Sequence, residues 1–330
     1  MDDWSARKPL TIVSYHYVRP IKSSQYIEIK GLEKTDFEGQ IEYIMQHYNV
    51  VSMEHIVASI HGEEELPQMA LLLAFDDGFS DHYLHVFPHL VDLKIPAAFY
   101  PCVSPTMQRK MLDVHKIHFI LACETNKMAL VDSLNEHVEK ARESFDLDFI
   151  HVYEKDFKNP NRFDSGEVIY IKRMLQHALP DDLRTEITDN MFRKFVTNDQ
   201  GAFADELYLN EEQLKIMIDE GMHVGGHGVH HEWLNHCDRS HQESIVKGCR
   251  SFLDGIGASR QYMTFCYPYG AYNDDTKEII ARHGFDLAMT TKVGIADLTT
   301  HDSYVLPRID TNDLPRSGDA EIVSLTRKLM

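Results

Sequence analysis

The chain has 330 residues, 43% hydrophobic and 26% charged, the composition of a globular protein long enough for one α/β barrel or two ordinary domains. A formal charge of −19 argues against a nucleic-acid partner, which needs a basic face, and against docking on anionic lipid through bulk charge. No run approaches the ~18 apolar residues of a membrane helix. The acidic start Met1-Asp2-Asp3-Trp4 leads into no apolar leader core, so a cytoplasmic protein without a membrane span is expected.

In chain order, the first strong signal is LTIVSY at 10–15, a β-branched and aromatic run that reads as a strand and ends at His16. Residues 37–48 have helical spacing, with Phe37, Ile41, Ile44 and Met45 on one face. A short strand at 50–51 and a helix at 53–60 follow. Then comes ALLLAF at 70–75, a continuous apolar run bounded by Pro67 and Asp76-Asp77-Gly78, as suits a strand buried on both faces of a parallel sheet. A helix near 82–93 and a strand at 97–100 complete a strand–helix–strand rhythm, which points to an α/β fold.

Residues 104–205 read differently. The segments 112–121, 129–145, 168–179 and 183–196 all favour helices, and no strand pattern interrupts them. The α/β rhythm then resumes, with a helix at 211–220 capped by Asn210 and stopped by Gly221. Strands follow at 222–224, 264–267 and 287–290, with a helix near 275–283. The expected organisation is one domain over 1–330 with a helical insertion at about 104–205.

Three clusters at strand ends carry polar chemistry. Phe75-Asp76-Asp77-Gly78 sets two carboxylates just past a buried strand, where active sites of parallel α/β folds form. Gly225-Gly226-His227-Gly228-Val229-His230-His231 follows the strand at 222–224. His227 and His231 are four apart, so on a helical turn their imidazoles share a face and suit one metal ion with a carboxylate from elsewhere. The spacing alone is weak evidence, since His85/His89 and His223/His227 share it; the Gly-rich turn at a strand end is what distinguishes this pair. His223 and His230 read as core or surface residues. Phe265-Cys266-Tyr267-Pro268-Tyr269-Gly270 is a turn that presents backbone N–H groups, which can stabilise an oxyanion. Five cysteines, none in a CxxC pair, argue against a disulfide framework.

Taken in order, FDDG, HGVHHEWL and YPYG resemble the three motifs of the polysaccharide deacetylase (NodB-homology, carbohydrate esterase 4-like) family. SYHYV and the segment leading into HGVHHEWL resemble it too. The likeness covers roughly 10–103 and 207–310. It implies a distorted (β/α) barrel with fewer than eight regular units. It implies that Asp77, His227 and His231 bind a divalent metal, most often Zn²⁺, with Co²⁺, Ni²⁺ or Mn²⁺ as alternatives. It further implies that Asp76 is the base activating water at that metal, and that the backbone N–H of Tyr269 helps hold the oxyanion. The physics agrees: a three-ligand site leaves positions open, and a carboxylate beside a cation stays ionised.

The sequence departs from the family pattern at two points. The third motif usually carries an Arg that orients the base, and Cys266 stands there; Arg308 is a candidate to replace it, to bind substrate, or to make a structural ion pair. The late general-acid His has no clean match, which leaves His301, in Leu298-Thr299-Thr300-His301-Asp302, and His16 as candidates. The polar segment 113–118 is a candidate cap over the site or an ordinary helix face. The expected activity is metal-dependent removal of an N-acetyl group from an amino sugar or glycan intermediate, releasing acetate. A cytoplasmic location would favour a soluble or lipid-linked sugar as substrate. The rival expectations are a non-catalytic carbohydrate- or metal-binding module on the same barrel, and an O-acetyl esterase.

Overall fold

The apolar run ending in two aspartates forms a strand, Ala70–Asp77, with every residue buried. It lies mid-sheet in the computed structural model, which describes residues 9–161, 164–258 and 262–330. The sheet path has seven strands: β1 Pro9–Tyr15, β2 Ala70–Asp77, β3 Ala98–Pro101, β4 His223–Val224, β5 Thr264–Cys266, β6 Leu287–Val293 and β7 Leu306–Asp310. Their order is β4-β3-β2-β1-β7-β6-β5, with every neighbouring pair parallel. The two ends of this path meet just past β4, through a parallel bridge between Gly226 and Phe265. There the Gly226 N–H donates to the Thr264 carbonyl at 3.0 Å and the Cys266 N–H to the Gly226 carbonyl at 2.9 Å. The result is the expected distorted (β/α) barrel: a mostly parallel sheet nearly closed on itself and wrapped by helices.

Strand parity sorts the side chains into two layers. Ala70, Leu72 and Ala74 of β2 pack with Leu10, Ile12, Ala98, Tyr100, Cys266, Met289 and Leu306 inside the barrel. Leu71, Leu73 and Phe75 face the other way, into a layer with Phe37, Ile41 and Ile44 of the helix Lys34–His47. That layer also takes Ile245, Val246, Cys249, Phe252, Leu253 and Ile256 of the helix Arg239–Ile256. This helix, the longest of the barrel, is absent from the sequence reading although its apolar residues recur at helical spacing and Asp238 caps it by accepting from the His241 N–H. Asn210 caps Glu211–Asp219 as expected, in a capping box with Gln213. The helix expected near 82–93 departs from expectation in its first turn: His82–Val86 is a π-turn, closed by the Phe87 N–H on the His82 carbonyl, and the α-helix runs only over Phe87–Leu93.

By internal contacts the chain forms two units: the barrel, comprising residues 1–20, 31–109 and 205–330, and a second unit of 21–30 and 110–204. The second unit is helical among its described residues, with Asp113–Cys123, Lys127–Phe145, Ile150–Phe157, Gly166–Arg173 and Asp181–Phe195 as its α-helices. Its first helix contains the polar segment 113–118. There Asp113 and Asp189 hold the buried ammonium of Lys116 at 2.9 and 2.5 Å, so these charges are committed inside their own unit. Segment 21–30 joins the same unit through Tyr26, whose ring meets Phe119 edge-on at 4.9 Å. No helix among the described residues is long and apolar enough to cross a membrane. Residues 1–8, from which the lack of a leader was read, lie outside the described residues.

Candidate active site

Parity explains why two adjacent aspartates serve one cavity. Asp76 continues the interior row of Ala70, Leu72 and Ala74, and is 1% exposed. Regular pleating would send Asp77 outward, into the helical layer. The chain instead turns at Asp77 to φ 72°, in the left-handed region, and continues at φ 71° through Gly78. A non-glycine residue is strained there, and strain of this kind persists where surrounding structure holds it, commonly at functional sites. Gly78 is required twice over, because a Cβ on it would meet the Pro101 Cβ at 2.6 Å.

Beyond β4 the histidines converge on the same carboxylate. His227 Nε2 lies 3.2 Å and His231 Nε2 3.3 Å from Asp77 Oδ1. The pair does not sit on a helical turn, as the spacing suggested. Residues 225–233 form an irregular loop in which Gly228 (φ 77°) and His231 (φ 59°) are left-handed, and these two bends bring the rings to 5.0 Å between centroids. His227 Nδ1 donates to the Cys266 carbonyl at 2.8 Å. A carbonyl only accepts, so Nδ1 carries a proton, and Nε2 is the nitrogen turned toward Asp77 and available to a cation.

These three side chains fit a metal. Their ligand atoms lie within 4.8 Å of one another. Tetrahedral coordination with bonds of about 2.0–2.1 Å separates neighbouring ligand atoms by about 3.3 Å, close to the two separations observed. Two imidazoles and one carboxylate are also a donor set for zinc and its neighbours in the first transition row.

Asp76, beside this group, is engaged by an arginine. Arg308, on the interior face of β7, places Nη1 3.0 Å from Asp76 Oδ1 and 2.8 Å from Oδ2. Its Nε donates to the Thr290 carbonyl at 2.8 Å, and the side chain is almost fully buried. Burial pushes the Asp76 carboxyl up, but the Arg308 guanidinium, helped by His227 and His16, outweighs it and holds the pKa below the ordinary carboxylate value. Cys266 stands where an arginine was expected, and Arg308 reaches the same carboxylate from another strand. Its buried, doubly committed guanidinium suits orientation of Asp76 and not contact with a ligand in solvent.

His16, just past β1, is half exposed, with Nε2 3.9 Å from Asp76 Oδ2, at the mouth of the barrel. Tyr269 sits in the turn after β5 at φ 57°, its ring edge-on to His231 at 4.3 Å and stacked on Trp233 at 4.1 Å. His301 is not brought to this group. Its Nδ1 accepts from the Asp297 N–H at 2.8 Å, and Ala296 and Asp297 pair with Leu10 and Pro9 at the start of β1. The site lies past Tyr15 at the other end of that strand, about 17–20 Å away at the rise of an extended chain. The local resemblance of LTTHD to a late motif does not survive this placement, because the segment flanks the N-terminal rim. His223 is a buried core residue, bonded to Thr264 Oγ1 at 2.8 Å, and His230 is exposed. Two contributors escaped sequence reading: the Cys266 carbonyl, which has no side-chain signal, and Ser14, whose Oγ lies 3.5 Å from Asp76 Oδ2 and which shares the interior parity of Leu10 and Ile12.

Comparison with known proteins finds polysaccharide deacetylases. A family model described as polysaccharide deacetylase matches residues 188–288, which include the histidine pair and the Tyr269 turn. A stretch of 102 residues, 31% of this chain, is 28% identical to the Bacillus subtilis (strain 168) protein named "Putative polysaccharide deacetylase YxkH", and spans 36% of that protein's length. Among solved structures, the Streptococcus pyogenes deacetylase PplD in complex with acetate shares the fold at a TM-score of 0.59 and 18% identity, over 98% of this chain and 100% of its own. A de-N-acetylase from Aggregatibacter actinomycetemcomitans does so at 0.54 and 15%, over 98% and 100%. IcaB from Ammonifex degensii does so at 0.53 and 18%, over 92% of each chain. Over residues 188–288 the chain is thus similar to polysaccharide deacetylases, and its barrel is the fold of the solved deacetylases just named.

Proposed function

We propose that the chain is a metal-dependent hydrolase that removes an N-acetyl group from an amino sugar or glycan and releases acetate. The observation that carries this reading is a buried carboxylate, Asp76, held ionised by Arg308 directly beside a separate three-ligand group. Asp77, His227 and His231 would hold the cation, with zinc the best match to the donor set. When bound, a divalent cation supplies the Lewis acidity that makes water a nucleophile near neutral pH and polarises an acyl carbonyl. The protein's own part is acid–base work and positioning. Asp76 takes the proton from the attacking water at a carboxylate oxygen. Arg308 keeps that carboxylate ionised and fixes its plane. The Tyr269 backbone N–H is the candidate donor to the developing oxyanion, in a turn braced by Trp233 and by Thr291 Oγ1 donating to the Tyr269 carbonyl at 3.3 Å. His16, exposed on one side and close to Asp76 on the other, is placed to return a proton to the leaving amine as the C–N bond breaks.

The family of the relatives supports a carbohydrate as the acyl carrier, and the amide as the bond broken rests on the name of one of them, a de-N-acetylase. The test is acetate release from a panel of N-acetylated sugars, oligosaccharides and nucleotide sugars, with O-acetylated counterparts alongside. Metal-loaded wild type is compared with Asp76→Asn at matched metal content. Metal-dependent release that collapses in Asp76→Asn supports the reading. Release from esters alone makes the chain an esterase, and full metal occupancy with no release from any substrate makes the barrel a binding module.

A further inference from the structure

His82 is a buried histidine that the reaction as derived does not use. It opens the π-turn that follows the two aspartates, and π-turns are uncommon and concentrate at functional sites. Its side chain is fully buried among the rings of Phe75, Phe79 and Phe99, at 5.4, 5.8 and 5.8 Å. One ring nitrogen, Nε2, lies 2.8 Å from the backbone carbonyl of His16. A carbonyl only accepts, so Nε2 carries the proton. The other, Nδ1, is buried without a hydrogen-bond partner. A phenylalanine would fill this aromatic cage without stranding a nitrogen, so what the imidazole adds is its one hydrogen bond, and that bond goes to His16.

The same two segments meet at other points too. The Tyr17 ring stacks on Phe79 at 4.0 Å, and Arg19 Nε donates to Asp81 Oδ2 at 2.7 Å. Residues 16, 17 and 19 are thus tied to 82, 79 and 81. The His82 bond grips residue 16 itself, whose half-exposed imidazole approaches Asp76 to 3.9 Å.

We propose that His82 is a positioning residue: through the His16 carbonyl it sets the backbone from which the His16 imidazole faces Asp76 at the mouth of the barrel. The inference rests on the proposed function in taking His16 to serve the hydrolysis. His82 itself touches neither substrate nor metal ligands in this role.

Two substitutions separate positioning from packing in the metal-loaded, full-length protein. His82→Phe keeps the cage and removes the donor; His82→Gln keeps an N–H donor. His82→Phe is expected to melt at or above the wild-type temperature and to keep its metal, yet to lose about 10- to 100-fold in kcat with KM little changed, as small misplacements of reacting groups do. His82→Gln is expected to recover most of that loss. In a His16→Ala background, His82→Phe should cost nothing further. Wild-type kcat in His82→Phe, failure of His82→Gln to recover it, or an equal loss in the His16→Ala background would each overturn the inference. Hydrogen exchange of the amides at 14–19 reads the same clamp without catalysis: faster exchange in His82→Phe than in wild type or His82→Gln supports it, and unchanged exchange defeats it. A wild type that hydrolyses nothing would defeat the proposed function while leaving the exchange result to decide on His82.

Discussion

Arg308 and Asp76 lie 232 residues apart in sequence and form a buried ion pair, 2.8 Å at its shortest, inside the barrel. A lone buried carboxylate would tend to stay protonated; this one is kept ionised by a guanidinium that is itself fixed to the Thr290 carbonyl.

Removing the guanidinium therefore acts on both stability and rate. Arg308→Met leaves a buried carboxylate without its partner and should cost about 3–5 kcal/mol in urea unfolding. With burial less opposed, the Asp76 carboxyl rises, and the acid limb of the kcat/KM profile should move to higher pH at matched metal content. An unshifted acid limb would show that Asp76 is not the group whose ionisation the rate requires.

Loss of any one ligand should empty the metal site. Asp77→Asn, His227→Ala and His231→Ala should each bind a divalent cation far more weakly than wild type by calorimetry and lose acetate release. Stripping wild type with a chelator should lower its melting temperature, and Zn²⁺ should restore it, by about 4 kcal/mol of stability at a free concentration near 1,000 Kd. Tight binding by two of the three variants would mean that the ion is held elsewhere.

Gly78→Ala tests the turn that brings Asp77 to the mouth. The left-handed φ of 71° and the Pro101 Cβ at 2.6 Å both oppose a methyl group. A loss of more than about 1 kcal/mol in stability is expected, together with weakened metal binding. Wild-type metal affinity in this variant would show that the Asp77 geometry does not depend on the turn.

His82 should also leave a mark on acid stability. Burial lowers its pKa from 6.5 to about 4. As pH falls the unfolded chain takes up this proton first, so the stability tied to the neutral ring is complete above pH 6.5 and is lost progressively toward pH 4, worth about 3 kcal/mol at most. The urea midpoint should therefore fall less between pH 7 and 4.5 in His82→Phe than in wild type. Parallel curves for the two proteins would mean that the ring already titrates normally.

Much of this site is legible in residue order because its signals are local. ALLLAF followed by DDG marks a buried parallel strand and its end, and the Gly-rich loop around His227 and His231 marks a second. Each rests on a few adjacent residues whose pattern sets burial and chain reversal. The same locality explains the misreadings. Four-residue spacing suggested a helical turn for the histidines, whereas left-handed bends at Gly228 and His231 bring them together. LTTHD carries a suitable histidine, but pairing of Ala296 with Leu10 holds it at the far rim. The helix Arg239–Ile256 had a readable pattern and was passed over for the motifs on either side of it.

The amino-acid sequence by itself determined the family resemblance, the alternation of strands and helices, and the residue types available for metal binding and base catalysis, all of which follow from short-range pattern. Only the tertiary structure decided that Arg308 supplies the charge that Cys266 lacks, that the Cys266 carbonyl holds the Nδ1 proton of His227, that His301 stands apart, and that residues 21–30 join the helical unit. Each of these depends on which strands become neighbours when the sheet closes, and on which face of a strand a residue occupies. Barrel closure brings residues hundreds of positions apart into contact through long-range packing, which no local pattern encodes.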